Sequence, residues 1–165
     1  MKSIKVNKSK ISSVLQEEKL INEKSYKKFG DRIDNAKKVV QLFLKKNTKK
    51  TVGYGASTKG NIILNHCKIT SKDLKYICDG SSQKLGRYTP GSNIKIISKE
   101  KMRKMKIDYI FVLIWSFRSE VIKQEKKFIK NGGKLIFPLP IFHIVDRENY
   151  ISYLKEDFKT FSFKL

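Results

Sequence analysis

The sequence contains only two cysteines, two histidines and five arginines, and these shortages limit the chemistry it can carry. Cys67 and Cys78 do not form a C-x-x-C pair, which disfavours a disulfide framework and a zinc site. We expect both to be buried thiols. His66 and His143 have no carboxylate or cysteine at a spacing typical of a metal site or a catalytic triad. We therefore interpret both histidines as structural or surface groups.

Long apolar runs are also missing. The longest, 109–115, has seven residues, whereas a membrane-spanning helix needs about 18. The basic start of the chain, 1–5, is not followed by the apolar segment of a signal peptide. The sequence therefore predicts a cytoplasmic chain without a membrane span. Its 165 residues suffice for one domain with its own core.

Acidic residues are scarce relative to basic ones, which gives a formal net charge of +22. Such a charge favours a polyanionic partner, for example nucleic acid. Arginine, which is enriched in base and phosphate recognition, is nevertheless rare, and the lysines are spread along the whole sequence. The abundance of Lys, Ile and Asn also resembles the codon bias of an AT-rich genome. We interpret the charge as a lysine-rich surface, and a basic nucleic-acid-binding protein stays as an alternative.

The N-terminal part of the sequence predicts two helices after a flexible segment, 1–10. Apolar residues from Ile11 to Ile21 indicate a short helix with Ser12 or Ser13 near its start. Over 25–46, apolar residues recur at alternating spacings of three and four, which predicts an amphipathic helix that lies against a sheet.

Strands and helices alternate in the rest of the sequence. Strands are predicted from Thr51, over 74–79, 94–97, 109–115 and 134–137, and helices over 59–67, 99–105 and 119–131. The segment 109–115 is apolar at every position, as expected for a central strand covered on both faces. The alternation predicts an α/β fold with a mostly parallel, doubly wound sheet, helices on both faces and an N-terminal helical lead-in. The tail, 146–165, is expected to dock on the domain or on a partner through Phe158, Phe161 and Phe163.

A glycine-rich turn, 53–61, joins the first predicted strand to a helix. Gly53 and Gly55 allow a sharp turn close to a ligand, and the following helix N-terminus favours an anion, to which Lys59 adds a positive charge. The turn matches neither the P-loop nor the dinucleotide fingerprint, because Thr58 stands where that fingerprint has Gly or Ala. A tight turn without a ligand therefore stands beside the phosphate-binding interpretation.

Ligands of an open α/β sheet bind outside the carboxyl ends of its strands. Besides the glycine turn, we expect Asp79 with the long loop 80–93, Ser116-Phe117 and Pro138-Leu139-Pro140 at this edge. Asp79 stands where a dinucleotide fold keeps the acid that binds a ribose hydroxyl, and it equally suits the opening of an Asp-Gly turn. The sequence contains neither a G-x-S-x-G elbow nor H-E-x-x-H, so no complete catalytic constellation is present.

Several separate motifs carry a resemblance to a known family. They are Gly53-Tyr54-Gly55-Ala56-Ser57, Lys59-Gly60-Asn61, Leu64-Asn65, Cys67, Asp79, Gly86-Arg87-Tyr88-Thr89-Pro90-Gly91, Trp115, Phe117, Glu120, Gly132-Gly133-Lys134 and Pro138-Leu139-Pro140, with Glu17-Glu18, Tyr26 and Phe29 upstream. Their order and spacing resemble the C-terminal domain of sugar-nucleotide C-methyltransferases, from about Ser12 to Val145. His66 and Gly80 stand where that family usually has Tyr and Arg.

The resemblance implies a Rossmann-like domain over 11–145 that holds a nucleotide-linked sugar. Family members are typically three-part enzymes, and neither their zinc-binding domain, nor their S-adenosylmethionine-binding domain, nor their Tyr-His-Glu-His active-site motif has a counterpart in this sequence. The resemblance therefore implies a binding module, one half of a split methyltransferase of deoxysugar or surface-polysaccharide biosynthesis. S-adenosylmethionine would then bind only to a separate partner subunit. A dinucleotide-binding domain and an enzyme acting alone are weaker alternatives.

The site implied by this resemblance contains no metal ligand and no catalytic residue. Backbone amides near Ser57, Thr58 and Lys59 are expected to hold the diphosphate, and Lys84, Arg87 and Tyr88 are expected to close over it. The full set of predicted ligand-binding residues is Gly53, Tyr54, Gly55, Ala56, Ser57, Thr58, Lys59, Gly60, Asn61, Asp79, Lys84, Arg87, Tyr88, Pro90, Gly91, Trp115, Phe117 and Pro138.

Overall fold

The computed structural model of the chain describes residues 7–19 and 21–155. The helices in this part are α1 (Lys8–Lys19), α2 (Glu23–Asn47), α3 (Thr58–His66), α4 (Lys99–Arg103), α5 (Arg118–Gln124), α6 (Lys126–Lys130) and α7 (Tyr150–Lys155). The strands are β1 (Thr51–Tyr54), β2 (Tyr76–Asp79), β3 (Lys95–Ser98), β4 (Tyr109–Val112), β5 (Lys134–Phe137) and β6 (His143–Val145). The chain divides into two compact units, and the boundary lies between Asn35 and Ala36. None of the described helices is both long enough and apolar enough to cross a lipid bilayer.

The first unit contains α1 and the beginning of α2. Helix α1 begins at Lys8, inside the segment predicted to be flexible, and Asn7 caps it by accepting a hydrogen bond from the Lys10 amide (3.1 Å). The predicted caps Ser12 and Ser13 lie within the helix, so that prediction was wrong: an asparagine one turn earlier already satisfies the orphan amide. Residues 1–6 and Leu20 lie outside the described residues.

Helix α2 begins at Glu23, two residues before the predicted start. Asn22 and Ser25 explain the difference, because each side chain accepts a hydrogen bond from the other residue's amide (3.1 and 2.9 Å). In the first unit the predicted apolar stripe is not buried, since Tyr26 and Phe29 are exposed. In the second unit, Val40 and Leu44 of the same helix are buried in a core with residues of the sheet, which confirms the predicted contact for that part.

The second unit contains a six-stranded sheet in the order β3-β2-β1-β4-β5-β6. The first five strands pair in parallel, and β6 pairs antiparallel with β5. Strand β4 lies beside β1 at the centre, with Thr51 opposite Tyr109 and Tyr54 opposite Val112. The predicted α/β fold, with a mostly parallel sheet and an N-terminal helix, is confirmed.

Each face of the sheet is covered by a separate hydrophobic core. Because successive side chains of a strand point to opposite faces, Phe111 joins one core and Ile110 and Val112 join the other. The first core includes Val40 and Leu44 of α2 and Ile63 and Leu64 of α3, and the second includes apolar residues of α4, α5 and α6. Helices therefore lie on both faces, and the carboxyl ends of the five parallel strands lie at the same edge of the sheet.

Two predicted elements are shorter in the structure. Strand β4 ends at Val112 and a 3-10 turn, Trp115–Phe117, follows it, although the apolar sequence continues to Trp115. The helix predicted over 119–131 is divided at Glu125 into α5 and α6, and the buried Glu125 carboxylate forms an ion pair with Arg103 (2.6 Å).

The structure also contains two elements that the sequence did not predict. Strand β6 has only three residues, and α7 has six, with Tyr150 buried in the second core and Tyr153 and Leu154 packed against it. The spacing of these three residues is helical and was the available signal. Phe158, Phe161 and Phe163, on which the predicted docking of the tail depended, lie outside the described residues.

Candidate functional site

The glycine-rich turn begins at the carboxyl end of β1, between β2 and β4. The Gly55 amide donates to the Cys78 carbonyl (2.8 Å), and the Tyr54 carbonyl accepts from the Leu113 amide (2.9 Å). Gly55 has φ +91°, and a Cβ at this position would lie 2.5 Å from Ile114 Cγ2. Both the backbone angle and the close packing therefore require glycine here.

Helix α3 packs directly on this turn through Gly60. A Cβ on Gly60 would lie 3.0 Å from both the Gly55 carbonyl oxygen and Leu113 Cβ. The third glycine of the dinucleotide fingerprint serves the same close helix packing. Here that glycine stands two residues later than position 58, which explains how a turn of similar shape fails to match the fingerprint.

Ser57 caps the N-terminus of helix α3, which follows the carboxyl end of β1. Its side chain accepts a hydrogen bond from the Gly60 amide (3.0 Å). Thr58 and Lys59 occupy the first two helical positions, whose amides have no acceptor within the helix. The helix dipole adds a partial positive charge at the same point. The geometry of this N-terminus suits an anion.

Asp79 links the glycine turn to the loop that follows β2. Its Oδ2 accepts hydrogen bonds from the Ala56 amide (2.9 Å) and from Lys84 Nζ (3.2 Å), and its Oδ1 accepts from the Ser81 amide (2.9 Å). Lys84 Nζ also donates to the Ala56 carbonyl (2.9 Å). The contacts correspond to the turn-opening interpretation of Asp79, and they hold the two segments together.

The 80–93 loop is folded back onto β3 and α3. The Gly86 amide donates to the Ile96 carbonyl (3.0 Å), and the Ile96 amide donates to the Arg87 carbonyl (2.8 Å). Asn65 Nδ2 donates to the carbonyls of Asn61 (2.8 Å) and Pro90 (3.1 Å), which ties the loop to α3. The loop is thus an ordered wall beside the helix N-terminus.

A cavity of about 290 Å³ lies between α3 and this wall. It is lined by Ala56, Thr58, Asn61, Lys84, Arg87, Tyr88, Thr89, Pro90 and Ile96. Thr89 and Ile96 were not among the predicted site residues, although Thr89 belongs to the motif that carries the family resemblance. The side-chain oxygen of Asn61 is buried and accepts no hydrogen bond from the part of the chain that the structure describes. Asn61 thus brings to the cavity lining a side chain whose oxygen is not used by the described residues.

Other predicted site residues lie away from this cavity. Tyr54 is buried, and its hydroxyl donates to Gln124 Oε1 (2.8 Å) on the other core's side. Pro138 is buried at the end of β5. Trp115 and Phe117 belong to the turn after β4, where Phe117 is exposed. The structure therefore brings together the glycine turn and the 80–93 loop, and places the aromatic pair separately along the same edge.

The histidines have the structural and surface positions that the sequence predicted. His143 stacks between Phe137 and Tyr153, with ring centroids 5.0 Å away on each side, and His66 is exposed in the last turn of α3. Within residues 7–19 and 21–155, no group of three His, Cys, Asp or Glu side chains could hold a metal ion.

The two thiols are expected to be unreactive in the folded chain. Cys67 and Cys78 are free and buried, and burial raises the pKa of Cys78 to about 12 and also raises the pKa of Cys67. Because only the thiolate reacts, iodoacetamide at a pH of about 8 should modify neither residue until the chain is unfolded in urea. Mass spectrometry of the native and unfolded protein measures this. Modification of the native chain as fast as of the unfolded chain would contradict the buried positions.

Comparison with known proteins identifies the family. The family model of the C-methyltransferase C-terminal domain matches residues 2–140. C-methyltransferase NovU of Streptomyces niveus is 36% identical over 101 residues, which cover 61% of this chain and 24% of the relative. The match thus spans about a quarter of that relative's length. Since the family model covers most of the sequence, the chain belongs to the C-methyltransferase C-terminal domain family.

Proposed function

We propose that the chain binds a nucleotide-linked sugar in the cavity between α3 and the 80–93 loop. The observation that carries the proposal is the convergence of the α3 N-terminus, Arg87 and the unused Asn61 oxygen on one cavity. An anion-binding helix N-terminus, a cationic guanidinium fork and a hydrogen-bond acceptor for a hydroxyl group are the contacts that a sugar diphosphate requires. The family to which the chain belongs supports this assignment.

The diphosphate is assigned to the amides of Thr58 and Lys59. The Lys84 ammonium already donates to Asp79 and to the Ala56 carbonyl, so we assign it the structural role of holding the 80–93 loop against the glycine turn. Arg87 is exposed at the mouth of the cavity, and its guanidinium can reach a phosphate with two parallel hydrogen bonds.

The remaining groups are assigned to the organic part of the ligand. The Asn61 oxygen accepts a hydrogen bond from a sugar hydroxyl or a base N–H, and the exposed ring of Tyr88 offers a surface for stacking. A cavity of about 290 Å³ holds only part of a nucleotide-sugar. The rest of the ligand would extend along the edge of the sheet where the parallel strands end, toward the exposed Phe117 ring.

Methyl transfer would be completed by a separate subunit that binds S-adenosylmethionine, which supplies the methyl group. In this division of labour the chain binds and orients the acceptor sugar. The two parts together would form a split C-methyltransferase.

Calorimetric titration with UDP-glucose and dTDP-glucose tests the binding proposal. We expect saturable binding of at least one of them, and none of free glucose, because the diphosphate supplies the main contacts. Arg87→Met should weaken this binding about tenfold, the effect of losing one charge-assisted contact.

Arg147→Met is the matched control, because Arg147 is also exposed but does not line the cavity. It removes the same charge and should leave the affinity unchanged. Equal losses in the two variants, or no saturable binding with or without a methyl-donor protein, would overturn the proposal.

A further inference from the structure

Lysines that are far apart in the sequence come together at the amino edge of the sheet, where its parallel strands begin. This edge is opposite the cavity between α3 and the 80–93 loop. Parallel strands begin at the same edge, so the residues that precede them come together. These exposed lysines are Lys49 and Lys50 before β1, Lys75 before β2, Lys104 and Lys106 before β4, Lys130 at the end of α6 and Lys134 at the start of β5. These lysines are therefore distant in the sequence but lie at the same edge of the sheet.

The carboxylates at this edge do not neutralise the cluster. Asp108 forms an ion pair with Lys50 (2.8 Å), and Glu125 forms one with Arg103 (2.6 Å). Among the residues that the structure describes, neither Lys106 nor Lys127 lies within ion-pair distance of a carboxylate. Both ammonium groups are available to a partner.

Helix dipoles account for only some of these lysines. Cations at helix C-termini are favourable, which explains Lys104 after α4 and Lys130 at the end of α6. Lys127 also lies in the last turn of the short helix α6, where a cation is favourable. Lys106 lies in a loop, so no helix dipole explains its position.

Lys106 and Lys127 line a cavity of about 630 Å³. Its apolar lining residues are Met102, Met105, Ile107, Ile110 and Phe128. All lining residues belong to the second unit. Asp108 and Glu125 also line the cavity, but they are paired with Lys50 and Arg103, so among the described residues Lys106 and Lys127 carry the unpaired charges of an otherwise partly apolar lining.

We propose that this amino-edge cavity docks an acidic protein segment that carries an apolar anchor residue. The anchor would pack on Met105 and Phe128, and flanking carboxylates would pair with Lys106 and Lys127. A second copy of this chain does not fit, because its own amino edge carries the same charge. Nucleic acid fits less well, because the one arginine that lines this cavity, Arg103, is already bound to Glu125.

Fluorescence anisotropy with labelled probes tests this docking. The probes are a short peptide of glutamates with two leucines, an all-glutamate peptide of equal charge, and a single-stranded oligonucleotide of equal charge. At about 150 mM salt, where long-range charge effects are screened, we expect the glutamate-leucine peptide to bind about tenfold more tightly than either control probe.

Two double variants locate the binding. The double variant Lys106→Glu with Lys127→Glu should weaken the binding of the glutamate-leucine peptide at least tenfold, which is about 1.4 kcal/mol of binding free energy. Lys27→Glu with Lys28→Glu changes the net charge equally at exposed positions in the first unit and should have little effect. No binding of the peptide, equal binding of all three probes, equal effects of the two variants, or preferential binding of the oligonucleotide would each overturn the proposal.

Discussion

Replacing Gly55 by alanine should lower the free energy of unfolding by about 3 kcal/mol. Part of this loss comes from holding a residue with a Cβ at φ +91°, and part from the approach of that Cβ to Ile114 Cγ2. For a chain of this size the melting temperature should fall by roughly 10 °C. Urea unfolding of the variant and of the original chain measures the difference directly.

Gly86→Ala separates the two causes. Gly86 has φ +79°, but a Cβ there would meet nothing within 4 Å. The free energy of unfolding of this variant should fall only by the cost of the left-handed backbone conformation, about 1 kcal/mol. If the two variants were destabilised equally, the close packing of the glycine turn on Ile114 would not contribute.

Arg103→Ala should lower the free energy of unfolding by about 3 kcal/mol, because it removes the partner of a buried carboxylate. Glu125 is only 2% exposed and accepts from both Arg103 Nε (3.2 Å) and Nη2 (2.6 Å). Without the guanidinium, that carboxylate would be buried with neither its counter-charge nor these two hydrogen bonds.

Asp108→Ala is the matched control for burial. The Lys50–Asp108 pair is similarly short, at 2.8 Å, but its side chains are 65% and 52% exposed. Breaking it should cost less than about 1 kcal/mol. In addition, Arg103→Met combined with Glu125→Leu should recover most of the stability lost in Arg103→Ala. If Arg103→Ala and Asp108→Ala lowered the free energy of unfolding equally, or if the double variant recovered no stability, the burial of the Glu125 carboxylate would not be the cause of the loss.

The order of the elements could be predicted from the sequence because local patterns determine it. Apolar runs and glycines indicate the strands and helices, and Lys134–Phe137 was predicted with the bounds that the structure has. The helix predicted over 119–131 differs from the structure where a contact distant in sequence is present. The division of the predicted helix at Glu125 coincides with an ion pair to Arg103, 22 residues earlier, and no local pattern reports such a pair.

The candidate site was predicted in part for the same reason. Ala56, Thr58 and Asn61 follow from the glycine turn, while Lys84, Arg87 and Tyr88 were associated with it only through the family resemblance. The contact that joins the two segments, Asp79 with the Ala56 amide and Lys84, depends on the pairing of β1 with β2. The convergence of lysines at the amino edge likewise depends on strand direction, which a count of charges does not contain.

The link from Asn65 to the Pro90 carbonyl has a consequence for the kinetics of binding. Hydrogen bonds within the chain hold the 80–93 loop against α3 and β3. A ligand that enters this cavity therefore pays little conformational entropy to order the loop, since that cost is met when the chain folds. We expect association in a single step at a rate set by diffusion and orientation, without a slow phase for loop closure.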